Sequence, residues 1–172
     1  MFRVGVMLAV FLGLAAWAGA QGPPPLSTAD QLNMLRANQG VIEELVDRTV
    51  ELASANTPLK RAETCRKTAG TLAGVVGRAA DEGNPDRAAE FGGHLEAVVR
   101  DALVPNLDAA KQTIPPESPD APRLKKIRDD ARSDLDGVRN ALGTPGKVGD
   151  DAKVQDLRRK FDALREALSD KQ

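Results

Sequence analysis

The residue types and spacing that best suit metal binding or proton transfer in this sequence are those of Cys65, Glu90 and His94. His94 is the only histidine and Cys65 the only cysteine. Glu90 precedes His94 by four residues, so a helix would place both side chains on one face. The three residues are therefore the candidate set for a metal or small-ligand site, although a structural zinc site needs more Cys and His ligands than this chain contains.

The known catalytic and cofactor patterns are missing from this sequence. Ferritin-like di-iron bundles repeat Glu-x-x-His on two helices, whereas here Glu-x-x-x-His occurs once. A cysteine nucleophile needs a nearby histidine as its base, and His94 is the one residue that could serve Cys65. The sequence contains no phosphate-binding loop, calcium loop or haem-attachment motif. It therefore predicts no catalytic residue, no cofactor and no enzymatic activity.

Cys65 allows two interpretations, because an unpaired cysteine in an exported chain cannot form an internal disulfide. It is either a small buried hydrophobic side chain, or the site of an intermolecular disulfide or redox reaction in an oxidising compartment.

The residues around these side chains predict helices, because apolar positions recur every three or four residues and no segment alternates as a strand does. Helix starts are marked by polar caps followed by proline. The predicted helices run from Ser27 to about Ala55, from Pro58 to just before Gly83, from Pro85 to about Thr113 with a kink at Pro105, from about residue 123 to Leu142, and from about Asp150 to Ser169. The expected fold is an all-α, elongated antiparallel bundle of four to five helices, with coiled-coil-like seams.

Glycines interrupt two of the predicted helices. Gly70, Gly74 and Gly77 share one face of the second helix, and Gly92 and Gly93 are adjacent in the third. Each interior glycine costs about 1 kcal/mol relative to alanine. Close helix–helix approach is the expected compensation, and a deliberately loose region is the alternative.

The N-terminus has the pattern of a cleaved signal peptide over residues 1–20. Arg3 precedes an apolar run from Val4 to Leu14, and Ala18-Gly19-Ala20 matches a signal peptidase site. The run is shorter than the roughly 20 residues of a membrane-spanning helix. The protein is therefore expected to be exported, to the periplasm or the extracellular space.

The exported part divides at proline-rich segments. The expected order is a Pro-rich leader over residues 21–26, a three-helix segment over 27–114, an extended Pro-rich linker over 115–122, and a helical hairpin over 123–172. The linker contains four prolines in eight residues, a composition typical of semi-rigid spacers. The hairpin is expected to dock on the first three helices.

Composition argues against several classes of partner. Beyond Ala20 the chain has 23 basic and 25 acidic residues, a net charge of −2, which disfavours nucleic acid and polybasic membrane binding. Its aromatic residues there are Phe91 and Phe161. Bases and sugars are commonly held by stacking on aromatic rings, so nucleic-acid and carbohydrate recognition are not expected.

Residues 58–107 contain Pro-Leu-Lys-Arg-Ala-Glu-Thr-Cys, Asp-Arg-Ala-Ala-Glu-Phe-Gly-Gly-His-Leu and Val-Pro-Asn-Leu. This stretch, about a third of the chain, resembles exported bacterial helical-bundle proteins of unknown function. The resemblance implies that Cys65 and His94 belong to a recurring local arrangement. It implies no activity and assigns no functional residue.

Three functions are consistent with these observations. The first is a non-enzymatic helical interaction or structural module of the cell envelope, with a protein partner or self-association through a helix seam. The second is a small-ligand or metal-binding bundle that uses Cys65, Glu90 and His94. The third, an enzyme, ranks last because no catalytic set supports it.

Overall fold

The computed structural model describes residues 27–144 and 148–169. The expected signal peptide and leader lie outside the described residues. Within the two ranges the chain is almost entirely helical and contains no strand, which confirms the all-α prediction. The helices are α1 (Thr28–Ser54), α2 (Pro58–Asp81), α3 (Pro85–Val98), α4 (Val104–Thr113), α5 (Ala121–Leu142) and α6 (Ala152–Ala167), with a π-helical segment over Val99–Leu103 between α3 and α4.

The chain divides into two compact units, residues 1–36 and residues 37–172. In the first unit the structure describes residues 27–36, where Leu32 keeps 49% of its surface exposed. The second unit contains the rest of α1, the other helices and the hydrophobic core. None of the helices in the described residues is long and apolar enough to cross a membrane.

Local sequence signals fix the ends of α2 and α3. The side chains of Thr57 and Asn84 cap the two helices by accepting the backbone N–H three residues further on. Pro58 and Pro85 follow at the first helical position, where the missing N–H costs nothing. Gly83 has φ of 68° and ends α2 in a Schellman motif. The predicted starts and the glycine stop are confirmed.

The core is built around α2, which packs against α3, α4, α5 and the π-helical segment. Helix α6 packs on α3 and α5, so the two C-terminal helices contribute to the same core as α2 and α3. Large side chains from α3, the π-helical segment and helices α4 to α6 are fully buried, among them Leu95, Leu103, Leu107, Leu135 and Phe161. The apolar faces of α2 to α6 thus pack together in one core.

Pro105 changes the helix geometry without ending the helix. Its ring removes one backbone donor and crowds the carbonyl four residues earlier. The preceding residues Val99–Leu103 widen into a π-helical turn, and the side-chain nitrogen of Asn106 donates a 2.8 Å hydrogen bond to the carbonyl oxygen of Ala102. The chain then continues as α4 to Thr113. Counted as one interrupted helix, α3 to α4 brings the described residues to five helices, as predicted.

The Pro-rich segment 115–122 is not the extended linker that its composition predicts. The backbone N–H of Ser118 donates to the carbonyl of Pro115 at 3.0 Å, and the N–H of Ala121 donates to the carbonyl of Ser118 at 3.0 Å. These bonds fold the segment into successive turns. Helix α5 already begins at Ala121, because Pro122 is tolerated within the first helical turn.

The interior glycines behave differently from one another. A Cβ atom added to Gly92 would lie 2.1 Å from Cδ2 of Leu157 on α6, so this glycine permits close packing as predicted. No such neighbour exists for Gly77 or Gly93, where nothing lies within 4 Å of an added Cβ. The close-packing prediction is therefore wrong for these two positions and correct at the α3–α6 contact.

Candidate functional site

Helix α1 carries an apolar surface that no other described element covers. Ile42 is 44% exposed, Val46 is 56% exposed and Val50 is 66% exposed. These residues are four apart and therefore lie on one side of the helix. We define the outer face of α1 by its exposed residues Gln39, Ile42, Val46, Thr49, Val50 and Ala53.

The attachment of α1 to the rest of the second unit is mainly polar. Nζ of Lys67 donates a 2.8 Å hydrogen bond to Oε1 of Glu51, which joins α1 to α2. Nη2 of Arg87 donates a 2.6 Å hydrogen bond to Oδ1 of Asn38, which joins α1 to α3. No described side chain of α1 is fully buried, and Leu45 contributes partly buried apolar contact to the core.

Glu51 lies at the centre of this attachment. The hydrogen bond from Lys67, followed by the one from Arg48 at 2.9 Å, lowers the pKa of the Glu51 carboxyl. Both partners stabilise the charged form of the carboxylate. The ion pair between α1 and α2 is thus fully formed near neutral pH.

A groove of about 460 Å³ borders α1 on one side. We call it the apolar groove because most of its lining is hydrophobic. Its apolar lining comes from α1, α2, α3 and the π-helical segment: Leu45, Leu52, Leu72, Phe91, Val98 and Ala102. Its volume falls in the range typical of small-ligand pockets, about 300–1,000 Å³.

Two of the three sequence candidates line the apolar groove. Cys65 and His94 both contribute to it, whereas Glu90 is exposed and is not part of the lining. His94 is exposed and meets the edge of the Phe91 ring, with centroids 6.3 Å apart. No group of three or more His, Cys, Asp or Glu side chains in the described ranges is placed to hold a metal ion.

The thiol of Cys65 is sheltered from solvent. Its residue is 2% exposed, and burial raises the pKa of the thiol. A thiol becomes nucleophilic as the thiolate, so this environment opposes nucleophilic chemistry at neutral pH. The position fits the interpretation of Cys65 as a small buried hydrophobic side chain.

A second groove, of about 820 Å³, lies on the other side of α1 against α2. Gly40, Gly70 and Gly74 line it, so both helices present backbone there. Its basic side chains are largely paired within the protein. Arg66 lies 3.4 Å from Asp134, and Arg48 and Lys67 share Glu51. Arg78 also lines the second groove, so four basic side chains of the described residues face it beside one acidic lining residue, Glu44.

Sequence reasoning found the apolar residues of α1 but missed that they remain uncovered. An amphipathic pattern identifies the apolar side of a helix but gives no signal of whether the same chain covers that side. Ile42 and Val46 point to one side of α1, whereas Leu45 and Leu52 lie on the edge that lines the apolar groove.

Comparison of the chain with protein-family models, with curated proteins and with solved structures returns no match. The resemblance of residues 58–107 to exported helical-bundle proteins therefore stays a prediction.

Proposed function

We propose that the protein is a non-enzymatic helical interaction module of the cell envelope, which binds an amphipathic helix of a protein partner on the outer face of α1. The observation that carries the proposal is the exposure of Ile42, Val46 and Val50 along one side of a 27-residue helix. The export pattern of residues 1–20 supports a location outside the cytoplasm.

Burial of this face would supply useful binding energy. Complete burial of a fully exposed Val or Ile side chain stabilises by about 1.5–3 kcal/mol. The three side chains are about half exposed, so their burial contributes roughly 3 kcal/mol in total. Association also has an entropic cost, so the flanking residues of the outer face must contribute for the complex to persist.

The chemistry of the candidate residues supports a non-enzymatic role. Cys65 is buried with a raised thiol pKa, and Glu90 lies outside the groove that Cys65 and His94 share. In the described residues these side chains do not form the nucleophile, base and orienting group that covalent catalysis requires.

The test is an affinity capture from native envelope extract with three forms of the tagged full chain, read by quantitative mass spectrometry. The wild type and Ala163→Asp are expected to retain the same near-stoichiometric protein, and Val46→Asp is expected to lose it. Ala163 is an exposed residue of α6, so its substitution controls for the added charge. Equal recovery with Val46→Asp and the wild type would contradict the proposal.

A second candidate function is small-ligand binding in the apolar groove. The observation that favours it is the convergence of Cys65 and His94 on a cavity of about 460 Å³ with hydrophobic walls. A ligand that binds only the folded protein must raise its melting temperature. We expect an apolar ligand rather than a metal ion, and a fluorescent fatty-acid probe tests it. Leu52 lines the apolar groove and is 37% exposed, so probe binding that Leu52→Asp abolishes and Ala163→Asp preserves would support this function.

A further inference from the structure

The second groove, between α1 and α2, is lined mainly by positive charge. Its described lining contains Arg48, Arg66, Lys67 and Arg78 beside one acidic residue, Glu44. Its volume of about 820 Å³ is within the range of small-ligand pockets. The apolar groove on the other side of α1 has hydrophobic walls, whereas the charged walls of the second groove suit a polar anion.

Three of the four cations are held by carboxylates of the chain itself. Arg48 and Lys67 share Glu51, at 2.9 Å and 2.8 Å, and Arg66 lies 3.4 Å from Asp134. Apart from Glu44, the carboxylates that pair with these cations lie outside the groove lining. A guanidinium has five N–H donors, and a carboxylate occupies at most two of them in a bidentate pair. The two arginines therefore keep donors for a second anion. The carboxylates paired with the three cations are Glu44, Glu51, Asp130 and Asp134.

Arg78 is the cation at the other end of the groove. It is exposed and forms no ion pair with a described carboxylate. Its Nη1 lies 3.7 Å from the Cβ position of Gly74, so the guanidinium reaches back along α2. Gly74 follows Lys67 by seven residues, which is about 10 Å at 1.5 Å per residue. The groove therefore has two cationic ends separated by about 10 Å.

Glycines line the groove between its two ends. Gly40 of α1 and Gly74 of α2 are exposed, and Gly70 is half-buried. A Cβ atom added to Gly40 would meet nothing within 4 Å, so close packing within the described residues does not explain this glycine. Because these positions carry no side chain, a ligand can lie along the groove and reach both ends.

We propose that the second groove binds a small organic molecule that carries an anionic group, carboxylate or phosphate, at each end. One anionic group pairs with Arg78, and the other binds at the end formed by Arg48, Arg66 and Lys67. Arginine matches the geometry of both kinds of oxyanion with two parallel N–H bonds, and two anchored ends select a molecule of matching length. The site is separate from the outer face of α1, so it adds a ligand to the interaction module and does not depend on its partner.

The experiment is isothermal titration calorimetry on the full chain, at neutral pH and low ionic strength, with two pairs of probes. Glucarate and fructose 1,6-bisphosphate carry an anionic group at each end, whereas gluconate and fructose 6-phosphate carry one. We expect a two-ended probe to bind at least about tenfold more tightly than its one-ended counterpart, because the latter lacks one charge-assisted contact. The pair that responds distinguishes a carboxylate ligand from a phosphate ligand.

Arg78→Gln removes one end of the site and should weaken binding of the two-ended probe at least about tenfold. Its matched control is Arg159→Gln, because Arg159 is an exposed arginine of α6 outside the groove. Both substitutions remove one positive charge, so a general effect of net charge would appear in both.

Gly40→Leu tests the site without changing its charge. Leucine forms helix more readily than glycine, and its Cβ meets no neighbour within 4 Å, so the melting temperature should not fall. The new side chain should nevertheless obstruct the groove and weaken binding. Gly77→Leu is the control, because an added Cβ at Gly77 also meets nothing within 4 Å and this residue does not line the groove.

Failure of both two-ended probes to bind the wild type would overturn the proposal. Binding that Arg78→Gln and Gly40→Leu both leave unchanged would place the probe elsewhere on the protein and overturn it as well. Equal affinity for the one-ended and two-ended probes would contradict a ligand held at both ends of the groove.

Discussion

Nζ of Lys67 lies 2.8 Å from Oε1 of Glu51, and this ion pair attaches α1 to α2. Both side chains keep more than a third of their surface exposed. The pair positions α1 through a polar contact, which leaves the apolar outer face of the helix available to a partner. One side of α1 therefore holds the helix in place through polar contacts, and another side keeps its apolar residues exposed.

We predict that Lys67→Met raises the pKa of the Glu51 carboxyl toward its ordinary value of about 4.3. The folded protein lowers that pKa chiefly through the Lys67 hydrogen bond. Carbon-detected NMR titration of Glu51 measures the change, and Lys60→Met, at another exposed lysine of α2, is the control. An unchanged Glu51 pKa in Lys67→Met would show that the ion pair does not form in solution.

The lowered pKa of Glu51 makes the stability of the α1 attachment depend on pH. A carboxyl whose pKa is lowered by folding contributes stability that is complete above its unfolded value of about 4.3. That contribution is lost as the pH falls through the lower value of the folded state. We expect α1 to become more susceptible to pepsin than α2 as the pH falls below about 4. Simultaneous cleavage of both helices would contradict a separate attachment of α1.

Alanine substitutions at the adjacent residues Gly92 and Gly93 test the packing of α3 against α6. Gly92→Ala places a Cβ 2.1 Å from Cδ2 and 3.1 Å from Cγ of the buried Leu157, so we expect a loss of about 1–3 kcal/mol in the free energy of unfolding. Gly93→Ala meets nothing within 4 Å and should gain about 1 kcal/mol from helix propensity. Urea unfolding measures both. Equal effects of the two substitutions would contradict the α3–α6 contact.

Cys65 should remain a free, unreactive thiol in the native protein. The residue is 2% exposed and burial raises its pKa, so a disulfide reagent such as Ellman's reagent should react slowly in buffer and completely in urea. The Ala163→Cys variant supplies an exposed thiol for comparison. Rapid modification of Cys65 in buffer, or a disulfide-linked dimer of the wild type, would support the alternative redox role.

Zinc, copper and nickel should leave the melting temperature unchanged. Glu90 does not join Cys65 and His94 in the apolar groove, and a metal that binds the folded state must stabilise it. Thermal unfolding with each metal in excess measures the effect. A rise in melting temperature that His94→Ala abolishes would restore the metal-binding hypothesis.

Local signals in the sequence were sufficient to predict the helices. Asn84 followed by Pro85, and Gly83 at the end of α2, define boundaries within a few residues of one another, so no distant contact was needed to place them. The Pro-rich segment 115–122 was predicted wrongly, because proline favours turns as well as extended spacers, and the bonds from Ser118 to Pro115 and from Ala121 to Ser118 fold this segment into turns.

The candidate site was only partly predictable. Spacing placed Cys65 and His94 on neighbouring helices, and both line one groove. The exposure of Val46 could not be predicted, because an amphipathic pattern identifies the apolar side of a helix but does not say whether the same chain covers it. The difference between Gly92 and Gly93 depends likewise on the position of Leu157, which lies far away in sequence.

Amide hydrogen exchange, read by mass spectrometry on the full chain, tests the central claim most directly. Local stability follows buried apolar contact, and no described side chain of α1 is buried. Residues 37–54 should therefore exchange much faster than α2. Equal protection of α1 and α2 would contradict the account of α1 as an open interaction surface.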